Sequence, residues 1–409
     1  MSLENKVVLI VVDGLGDRAV KDGKTPLQLA NKPHLDKLTR EGSTGLMNTL
    51  GVGVIPGSDT AHLAILGYDP AVYYKGRGPF EALGVGFDLK EGDVAFRCNF
   101  ATVDDSFRVV DRRAGRLKDE GPELAKSLQN LEIEGVKVIF LPSTEHRGTL
   151  ILRGEGISAA VSDTDPHSAE IIPPLQSIPL GGDDAARRTA RIVNKMVRRS
   201  YDLLSSHPLN KERQKQGKLP ANVLLTRGAG IFQKVKSIKE KYGFTSCCIA
   251  GSALYKGVAR YAGMKILSVK GATGRVDTDV RAKAEAARKA LKQFDFVFLH
   301  IKGADNASHD GNLEAKLLMI EKLDLLVSIL SQEEKACLVI TADHSTPICV
   351  KRHSSDPVPV LVYGDSVRKD RVTSFDEISV ASGSLGQITG LELNKIIVDL
   401  MGFGHMMGS

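Results

Sequence analysis

The run Lys6 to Val12, KVVLIVV, is apolar after its first residue and rich in β-branched side chains. A run of this kind, without polar alternation, is typical of a strand buried on both faces of a parallel sheet. It ends in Asp13-Gly14, where the glycine gives the chain room to turn. The run therefore predicts a parallel strand with a carboxylate at its carboxyl end, where open α/β sheets hold their ligands.

The same kind of pattern returns in the last part of the chain. Strand patterns run from Phe294 to Ile301, from Ala336 to Thr341 and from Val358 to Tyr363. A long amphipathic helix pattern, Leu313 to Leu330, separates the first two. Strands that alternate with helices predict an α/β fold with a doubly wound, mostly parallel sheet.

The middle of the chain differs from both ends in its pattern of polar and apolar residues. From about residue 67 to residue 217 the strand patterns are shorter and more polar, turns are frequent and arginines cluster. The charged stretch Asn210 to Lys218 looks like a surface linker, and a strand from Asn222 to Thr226 is expected to return the chain to the larger domain. We therefore expect a smaller α+β domain, 67–217, inserted into a discontinuous domain, 1–66 and 218–409.

Composition excludes several classes of protein. Apolar residues make up 42% and charged residues 25% of the 409, with a net charge of +6, as in ordinary soluble proteins. The sequence has no basic blocks with interleaved aromatics, which nucleic-acid-binding proteins commonly have. Its apolar runs are too short to span a bilayer. The first expected strand begins so early that we expect no signal peptide. We expect no nucleic-acid or membrane partner, and the sequence carries no signal for an oligomeric state.

The cysteines point to a reducing compartment. They are odd in number and show no CxxC spacing. They are Cys98, Cys247, Cys248, Cys337 and Cys349. Cysteines of this kind are typical of reduced core residues, so we expect a cytoplasmic protein.

The stretch Ile55 to Leu63, IPGSDTAHL, places Ser58 on a Gly/Pro turn just before a helix expected over Asp59 to Leu66. A serine in this position is commonly a turn residue or a helix N-cap. The free N–H groups and the dipole of a helix start also favour a bound phosphate. Ser58 is therefore predicted as a cap, as a nucleophile that takes a phosphoryl group, or as both.

Polar residues follow the expected strands at their carboxyl ends. They are Asp13, Asp305, His309, Asp343 and His344, with His353 on the loop beyond. Each one alone could be a cap, a surface residue or a core residue. Together, carboxylates and imidazoles suit divalent cations, and a pair of cations stabilises the attacking and leaving oxygens of an in-line phosphoryl transfer. With Ser58, the set predicts a two-metal phosphoryl-transfer site.

Two interpretations from other classes remain open. Gly14 to Ala19 matches a GxGxxA dinucleotide fingerprint, which would make the protein a nicotinamide-dependent oxidoreductase. That interpretation needs a helix directly after the glycines and then a strand that ends in an acid. Instead, Thr25-Pro26 opens a later segment and Asp36 falls in a helical pattern. The other alternative is a metal-binding protein without catalytic activity.

The metal-and-serine set resembles the alkaline phosphatase superfamily. More closely, the chain resembles the archaeal-type, cofactor-independent phosphoglycerate mutases. The phrases that carry this resemblance are VVDGLGD, TPLQLANKPHLDKL, PGSDTAHLAILGYDP, GRGPFEALGVG, RCNFATVD and KGADNASHDGN. It implies an alkaline-phosphatase-type sheet and interconversion of 3-phosphoglycerate and 2-phosphoglycerate through a phosphoserine on Ser58, without 2,3-bisphosphoglycerate or a nucleotide. A phosphatase, sulfatase or phosphopentomutase with the same site is the nearest alternative.

The resemblance also implies roles for individual residues. One divalent metal, most commonly Mn²⁺ with Mg²⁺, Co²⁺ or Zn²⁺ as substitutes, would be held by Asp305, His309 and His353. The other would be held by Asp13, Ser58, Asp343 and His344. Lys302 is the further catalytic candidate, because it follows a strand beside Asp305. The substrate-binding candidates are Asn99, Arg113, Arg116, His146, Arg147, His167, Arg227 and Lys270. The inserted domain is expected to close as a lid and exclude water.

Overall fold

The structure is a computed structural model, and it describes residues 6–115, 117, 119–168, 170–333, 336–404, 406 and 408. Arg116, a substrate-binding candidate, lies outside the described residues. Within them the helices are α1 (Pro26–Leu29), α2 (Pro33–Arg40), α3 (Ser58–Ile65), α4 (Pro70–Tyr73), α5 (Gly78–Gly84), α6 (Gly121–Lys126), α7 (Asp184–Ser205), α8 (Pro208–Lys215), α9 (Ile238–Tyr242), α10 (Ala253–Tyr261), α11 (Val280–Ala290), α12 (Gly303–Asp310), α13 (Leu313–Leu330) and α14 (Gly390–Leu400).

The strands within the same described residues are β1 (Lys6–Val12), β2 (Ser43–Met47), β3 (Val94–Val103), β4 (Val109–Asp111), β5 (Leu131–Ile133), β6 (Val136–Pro142), β7 (Arg147–Arg153), β8 (Val223–Ile231), β9 (Ser246–Ile249), β10 (Lys265–Ile266), β11 (Phe296–Ile301), β12 (Ala336–Thr341), β13 (Val358–Tyr363) and β14 (Gly386–Ile388). Among the described residues, no helix is both long and apolar enough to cross a membrane.

The chain divides into two units. The first consists of the chain up to Tyr74 together with the chain from Val235 onward, and the second is Lys75–Lys234. The boundaries expected from the sequence, 67 and 217, differ from these. The larger difference is at the second boundary, because β8 pairs with β3 and so belongs to the second unit rather than the first.

The stretch expected as a linker, Asn210 to Lys218, is ordered structure. Most of it forms α8, and Asn210 is fully buried. The Asn210 side-chain amide donates to the carbonyls of Leu204 and Ala221, at 2.9 Å each. This buried amide joins the end of α7 to the start of β8. The charged residues of the stretch are exposed except for Arg213, which is buried.

The first unit contains a sheet with the strand order β10-β9-β11-β1-β12-β13-β2-β14. Neighbouring strands are parallel except where β13 meets β12 and β2, so the predicted mostly parallel sheet is confirmed. Val7 to Val12 are all fully buried, as expected for a strand covered on both faces. Helices pack in two groups, α11 with α13 and α2, and α3 with α10 and α14.

The order of the strands places the candidate site. Strands β1, β11 and β12 are parallel neighbours, with Val12 opposite Ile301 and Val11 opposite Thr341. Their carboxyl ends therefore lie at one edge of the sheet. The strand β2 runs in the same direction as β12, because each is antiparallel to β13. The loop from β2 to α3 therefore also starts at this edge.

Helix starts in the first unit follow from local sequence. Thr25, Ser237 and Thr389 each accept a hydrogen bond from the backbone N–H three residues later. In each case the Gln or Glu side-chain oxygen at that position accepts from the backbone N–H of the cap residue. Such capping boxes satisfy backbone donors that the helix itself leaves unpaired. These residues determine where α1, α9 and α14 begin.

The second unit is built on an antiparallel sheet with the order β4-β3-β7-β6-β5, and β8 also pairs with β3. Along β3, Phe96, Cys98 and Phe100 are buried in the apolar core that this sheet shares with α6 and α7. Successive strand residues point to opposite faces, so Arg97 and Asn99 lie on the other face. This alternation separates the core of the unit from a polar face.

The expectation for the cysteines was correct for four of them and wrong for one. Cys98, Cys247, Cys248 and Cys337 are free and buried. Cys349 is free but exposed, because it lies in a turn between His344 and His353 rather than in a strand.

Candidate active site

The structure brings the carboxylates and imidazoles expected from the sequence to one place in the first unit. Two groups have ligand atoms within 4.8 Å of one another. One is Asp305, His344 and His353, and the other is Asp13, Asp343 and His344. His309 joins the first group through its Nε2, 3.2 Å from Asp305 Oδ1. His344 thus belongs to both groups, whereas the sequence placed it in only one.

Ser58 lies beside both groups. It is the first residue of α3, and Gly57 rather than Ser58 is the N-cap, so of the two interpretations left open for Ser58 the cap was wrong. The Ser58 hydroxyl instead lies 3.2 Å from His344 Nε2. A hydroxyl that is not used for capping is available for chemistry.

Backbone carbonyls orient two of the candidate histidine ligands. His309 Nδ1 donates to the carbonyl of Lys351 at 2.8 Å, and His353 Nδ1 donates to the carbonyl of Pro56 at 2.9 Å. Because a carbonyl can only accept, each Nδ1 carries the proton when the ring is neutral. Each Nε2 then offers a lone pair, 3.2 and 3.7 Å from Asp305 Oδ1. This is the arrangement that metal-binding histidines use.

Buried atoms without partners indicate that a cation fits here. Asp13 Oδ1, Asp343 Oδ2 and His62 Nε2 are buried without a hydrogen-bond partner. Burial, followed by repulsion from Asp343, raises the pKa of Asp13 to about 7. Buried carboxylate oxygens without donors are costly, and a divalent cation would compensate them. Carboxylate oxygens and imidazole nitrogens are also the ligands that Mn²⁺ and similar ions accept.

Lys302 lies between the two groups. Its ammonium is 3.0 Å from Asp13 Oδ2, 2.7 Å from Asp305 Oδ2 and 3.2 Å from the Tyr255 hydroxyl. Burial disfavours its charge, but Asp13 and Asp305 outweigh burial and raise the pKa of Lys302 well above its usual value. The side chain is therefore a permanent cation at the site.

Tyr255, His300 and His62 lie at the site but were not predicted from the sequence. The Tyr255 hydroxyl donates to Asp13 Oδ2, and its ring stacks on His300 at 3.5 Å. His62 Nδ1 donates to the carbonyl of Ser58 at 2.6 Å, 3.6 Å from Asp343 Oδ2. Two of these residues could have been found from the sequence. His62 follows Ser58 by one helical turn, and His300 interrupts an apolar strand. Tyr255 had no such signal.

The glycines after β1 serve a different purpose from the one a dinucleotide fingerprint requires. Among the described residues the first helix after β1 starts only at Pro26. The Gly14 N–H donates to Asp343 Oδ1 at 3.2 Å, and a Cβ on Gly16 would meet Ser345 Oγ at 2.1 Å. The glycines therefore let the loops after β1 and β12 approach each other, and the dinucleotide interpretation was wrong.

A buried ion pair supports these two loops. Lys316 Nζ, on α13, lies 2.8 Å from Asp17 Oδ2, and both side chains are fully buried. Lys316 also donates to the carbonyl of Thr346 at 3.1 Å. Asp17 belongs to the loop after β1 and Thr346 to the loop after β12, so the pair joins the segments that carry the candidate ligands.

The second unit has a separate basic cluster on the polar face of its sheet. Arg97 pairs with Arg227 across β3 and β8, and Asn99 pairs with Arg147 across β3 and β7. Arg97 Nε, Arg227 Nε, Asn99 Oδ1 and His146 Nδ1 are buried without a hydrogen-bond partner. Burial, then the charges of nearby arginines, lower the pKa of His146 to about 4. A face with this much unbalanced positive charge suits an anion.

Three other substrate-binding candidates, Arg113, His167 and Lys270, lie at different places in the structure. Arg113 is close enough to His146 to lower its pKa. His167 lies 3.0 Å from Asp163 and 3.4 Å from Arg112. Lys270 is in the first unit, exposed in the turn after β10.

Arg97 and Glu81 belong to the cluster but were not predicted. Arg97 Nε is 3.9 Å from Glu81, a half-buried carboxylate that also accepts from Arg77 at 3.0 Å. Glu81 lies on α5 and Arg97 on β3, so their proximity depends on the packing of that helix on the sheet.

Comparison with known proteins identifies the family. A family model described as 2,3-bisphosphoglycerate-independent phosphoglycerate mutase matches residues 39–210. The 2,3-bisphosphoglycerate-independent phosphoglycerate mutase 1 of Methanocaldococcus jannaschii is 50% identical, over 99% of this chain and 100% of that protein. The protein of the same name from Archaeoglobus fulgidus is 48% identical, over 98% of this chain and 100% of its own length.

Solved structures agree with these relatives. The cofactor-independent phosphoglycerate mutase from Thermoplasma acidophilum is 39% identical with a TM-score of 0.72, over 97% of this chain and 100% of that one. A protein from Pyrococcus horikoshii is 36% identical with a TM-score of 0.87, over 99% of this chain and 100% of that one. The chain therefore belongs to the family of 2,3-bisphosphoglycerate-independent phosphoglycerate mutases.

Proposed function

We propose that the chain interconverts 3-phosphoglycerate and 2-phosphoglycerate through a phosphoserine on Ser58. The observation that carries this proposal is the position of the Ser58 hydroxyl, 3.2 Å from His344 Nε2 and beside two groups of carboxylates and imidazoles. Membership of the family supports the choice of substrate, because the relatives from Methanocaldococcus jannaschii and Archaeoglobus fulgidus carry the name of this mutase.

The two groups are proposed to hold two divalent cations, with Mn²⁺ as the first choice. Asp305, His309 and His353 would hold one cation, and Asp13, Ser58, Asp343 and His344 the other. Bound cations would favour the deprotonated Ser58 hydroxyl and offset charge on the phosphoryl oxygens. The scheme needs neither 2,3-bisphosphoglycerate nor a nucleotide, because Ser58 itself carries the phosphoryl group between the two transfers.

The reaction consists of two in-line transfers. In the first, Ser58 Oγ loses its proton and bonds to phosphorus, while the bond from phosphorus to the C3 oxygen of 3-phosphoglycerate breaks and that oxygen takes up a proton. In the second, the C2 hydroxyl of the bound glycerate loses its proton and attacks the phosphoserine, and Ser58 Oγ leaves and is reprotonated. Two inversions give retained configuration at phosphorus. Lys302, a permanent cation, is proposed to bind the phosphoryl or carboxylate oxygens.

The basic cluster of the second unit is proposed to bind the anionic groups of the substrate. Its members would be Arg97, Asn99, Arg113, His146, Arg147 and Arg227. Guanidinium groups bind carboxylates and phosphates through two parallel hydrogen bonds, and two of these arginines have buried Nε atoms without a hydrogen-bond partner. Roles for Arg116, His167 and Lys270, and closure of the inserted domain as a lid, remain predictions.

Incubation of the Mn²⁺-loaded protein with 3-phosphoglycerate tests the proposed function. We expect 2-phosphoglycerate to form with little free phosphate, which ³¹P NMR measures in the same sample. EDTA should stop the reaction and added Mn²⁺ should restore it. Free phosphate as the main product would indicate a phosphatase, and activity undiminished by exhaustive chelation would contradict the metal site.

Sulfate should raise the pKa of His146 if the cluster binds anions. The pKa of His146 lies at about 4 instead of the usual 6.5, because of burial and the surrounding arginines, so the ring is neutral at neutral pH. A bound anion offsets the positive charges and favours the protonated ring. Sulfate should therefore bind more tightly as the pH falls from about 7 to about 5, with uptake of a proton.

NMR of histidine-labelled, metal-free protein measures both the His146 pKa and the affinity for sulfate. The variant Arg227→Met should lose most of the shift. The matched variant Arg187→Met removes an exposed arginine on α7 of the same unit and should keep the shift. A His146 resonance that titrates identically with and without saturating sulfate would rule out the anion site.

A further inference from the structure

Thr346 is a fully buried residue two positions after His344 in the loop that follows β12. Its hydroxyl oxygen lies 3.1 Å from His344 Nδ1 and 3.1 Å from Asp305 Oδ1. Thr346 therefore touches a residue shared by both candidate metal groups and a carboxylate of one of them. No sequence pattern pointed to a role for it.

The directions of these two hydrogen bonds follow from the chemistry of the partners. An ionised Asp305 can only accept, so the single proton of the Thr346 hydroxyl points to it. The hydroxyl oxygen can then only accept from His344, so His344 Nδ1 carries a proton. In a neutral ring, His344 Nε2 is left with a lone pair. That nitrogen lies 3.2 Å from Ser58 Oγ and 3.5 Å from Asp13 Oδ1, where a cation ligand is needed.

His344 differs from the other two candidate histidine ligands in the partner of its Nδ1. His309 and His353 donate from Nδ1 to backbone carbonyls, which a side-chain substitution does not remove. For His344 the partner of Nδ1 is a side chain, so the contact that sets its tautomer is a replaceable hydroxyl.

The backbone around Thr346 is held from two sides. Its N–H donates to the carbonyl of Gly16 at 3.0 Å, and its carbonyl accepts from Lys316 Nζ at 3.1 Å. The loop therefore keeps its position through contacts that do not involve the hydroxyl. Loss of the hydroxyl should change the orientation of His344 without releasing the loop.

We propose that Thr346 is a positioning residue, which sets the tautomer of His344 and links that ring to Asp305. It acts through these two side chains, and its hydroxyl bonds to neither the cations nor the substrate. Removal of a residue that hydrogen-bonds to a metal ligand commonly lowers metal affinity about 10- to 100-fold. The inference rests on the metal-binding role proposed above for His344 and Asp305.

The variant Thr346→Val tests this proposal, because valine has nearly the shape of threonine but no hydroxyl. We expect its affinity for Mn²⁺, measured by calorimetric titration of metal-free protein, to fall about 10- to 100-fold. Thr346→Ser keeps a hydroxyl and should recover most of the affinity. The matched control is Thr341→Val, which removes a fully buried hydroxyl that donates to the carbonyl of Pro359 at 3.0 Å, away from the ligands.

A second measurement needs no substitution at Thr346. Without a cation, His344 Nε2 faces Asp343 Oδ2 at 3.2 Å and Asp13 Oδ1 at 3.5 Å, which favours a second proton on the ring. The spectrum is therefore recorded on ¹⁵N-histidine-labelled protein loaded with diamagnetic Zn²⁺. His344 should there show its proton on Nδ1, with its resonance assigned by the variant His344→Gln. The proton on Nε2 would overturn the proposal even if Thr346→Val fails to fold.

The outcomes separate this inference from the proposed function. Equal Mn²⁺ affinity in Thr346→Val and the unchanged chain would overturn the role of Thr346 and leave the metal site intact. Absence of Mn²⁺ binding by the unchanged chain would overturn the proposed function, and this inference with it.

Discussion

Replacement of Ser58 by alanine is expected to abolish the interconversion of 3-phosphoglycerate and 2-phosphoglycerate, with a loss on the order of 10⁴-fold or more. The physical reason is that alanine has no oxygen to accept the phosphoryl group. The other candidate ligands are unchanged, so the variant should still bind Mn²⁺. Mass spectrometry of the unchanged protein after exposure to 3-phosphoglycerate should find phosphate on Ser58 and none in Ser58→Ala.

The matched control for this variant is Ser308→Ala. Ser308 is fully buried on α12, and its hydroxyl donates to the carbonyl of Ala304 at 3.0 Å, so the substitution removes a comparable buried group. It should leave turnover close to that of the unchanged chain. Substantial turnover by Ser58→Ala would show that Ser58 is not the nucleophile and would favour a direct transfer.

Replacement of Lys316 by methionine is expected to lower the free energy of unfolding by about 3–5 kcal/mol. Lys316 and Asp17 are both fully buried, 2.8 Å apart. Methionine fills a similar volume but leaves the Asp17 carboxylate buried without its counter-charge. The cost arises from that uncompensated charge, so Asp17→Asn added to Lys316→Met should recover part of the loss.

Urea unfolding followed by tyrosine fluorescence measures this effect in the first unit. The chain has no tryptophan, and every tyrosine except Tyr201 lies in the first unit. The control variant Arg275→Met breaks an exposed ion pair of the same unit, with Asp277, and should change stability little. If Lys316→Met unfolds at the same urea concentration as the unchanged chain, the pair does not stabilise the two loops.

Much of the site could be predicted because each candidate ligand follows a strand whose pattern is local. The run KVVLIVV predicts a buried strand, and Asp13 comes directly after it. The same reasoning led to Asp305 and Asp343. Parallel strands that are neighbours bring their carboxyl ends to one edge, so strand ends alone were sufficient to predict that these carboxylates meet.

Two of the differences between sequence and structure concern features that depend on long-range pairing. The strand from Asn222 was expected in the first unit, but β8 pairs with β3 in the second. The residue pattern of a strand indicates that the strand is buried, but it does not indicate which sheet the strand pairs with. The strand β13 likewise runs antiparallel to its neighbours, which no residue within it specifies.

The amino-acid sequence by itself determined the class of fold, the family and the set of residues from which a metal-and-serine site can be built, because these depend on short patterns and on side-chain chemistry. The tertiary structure alone decided that His344 lies within reach of both groups, that Tyr255 and His62 join them, and that the Thr346 hydroxyl contacts His344. These relations depend on distances of a few ångströms between residues far apart in the chain. Only the packing of helices and loops on the sheet sets such distances.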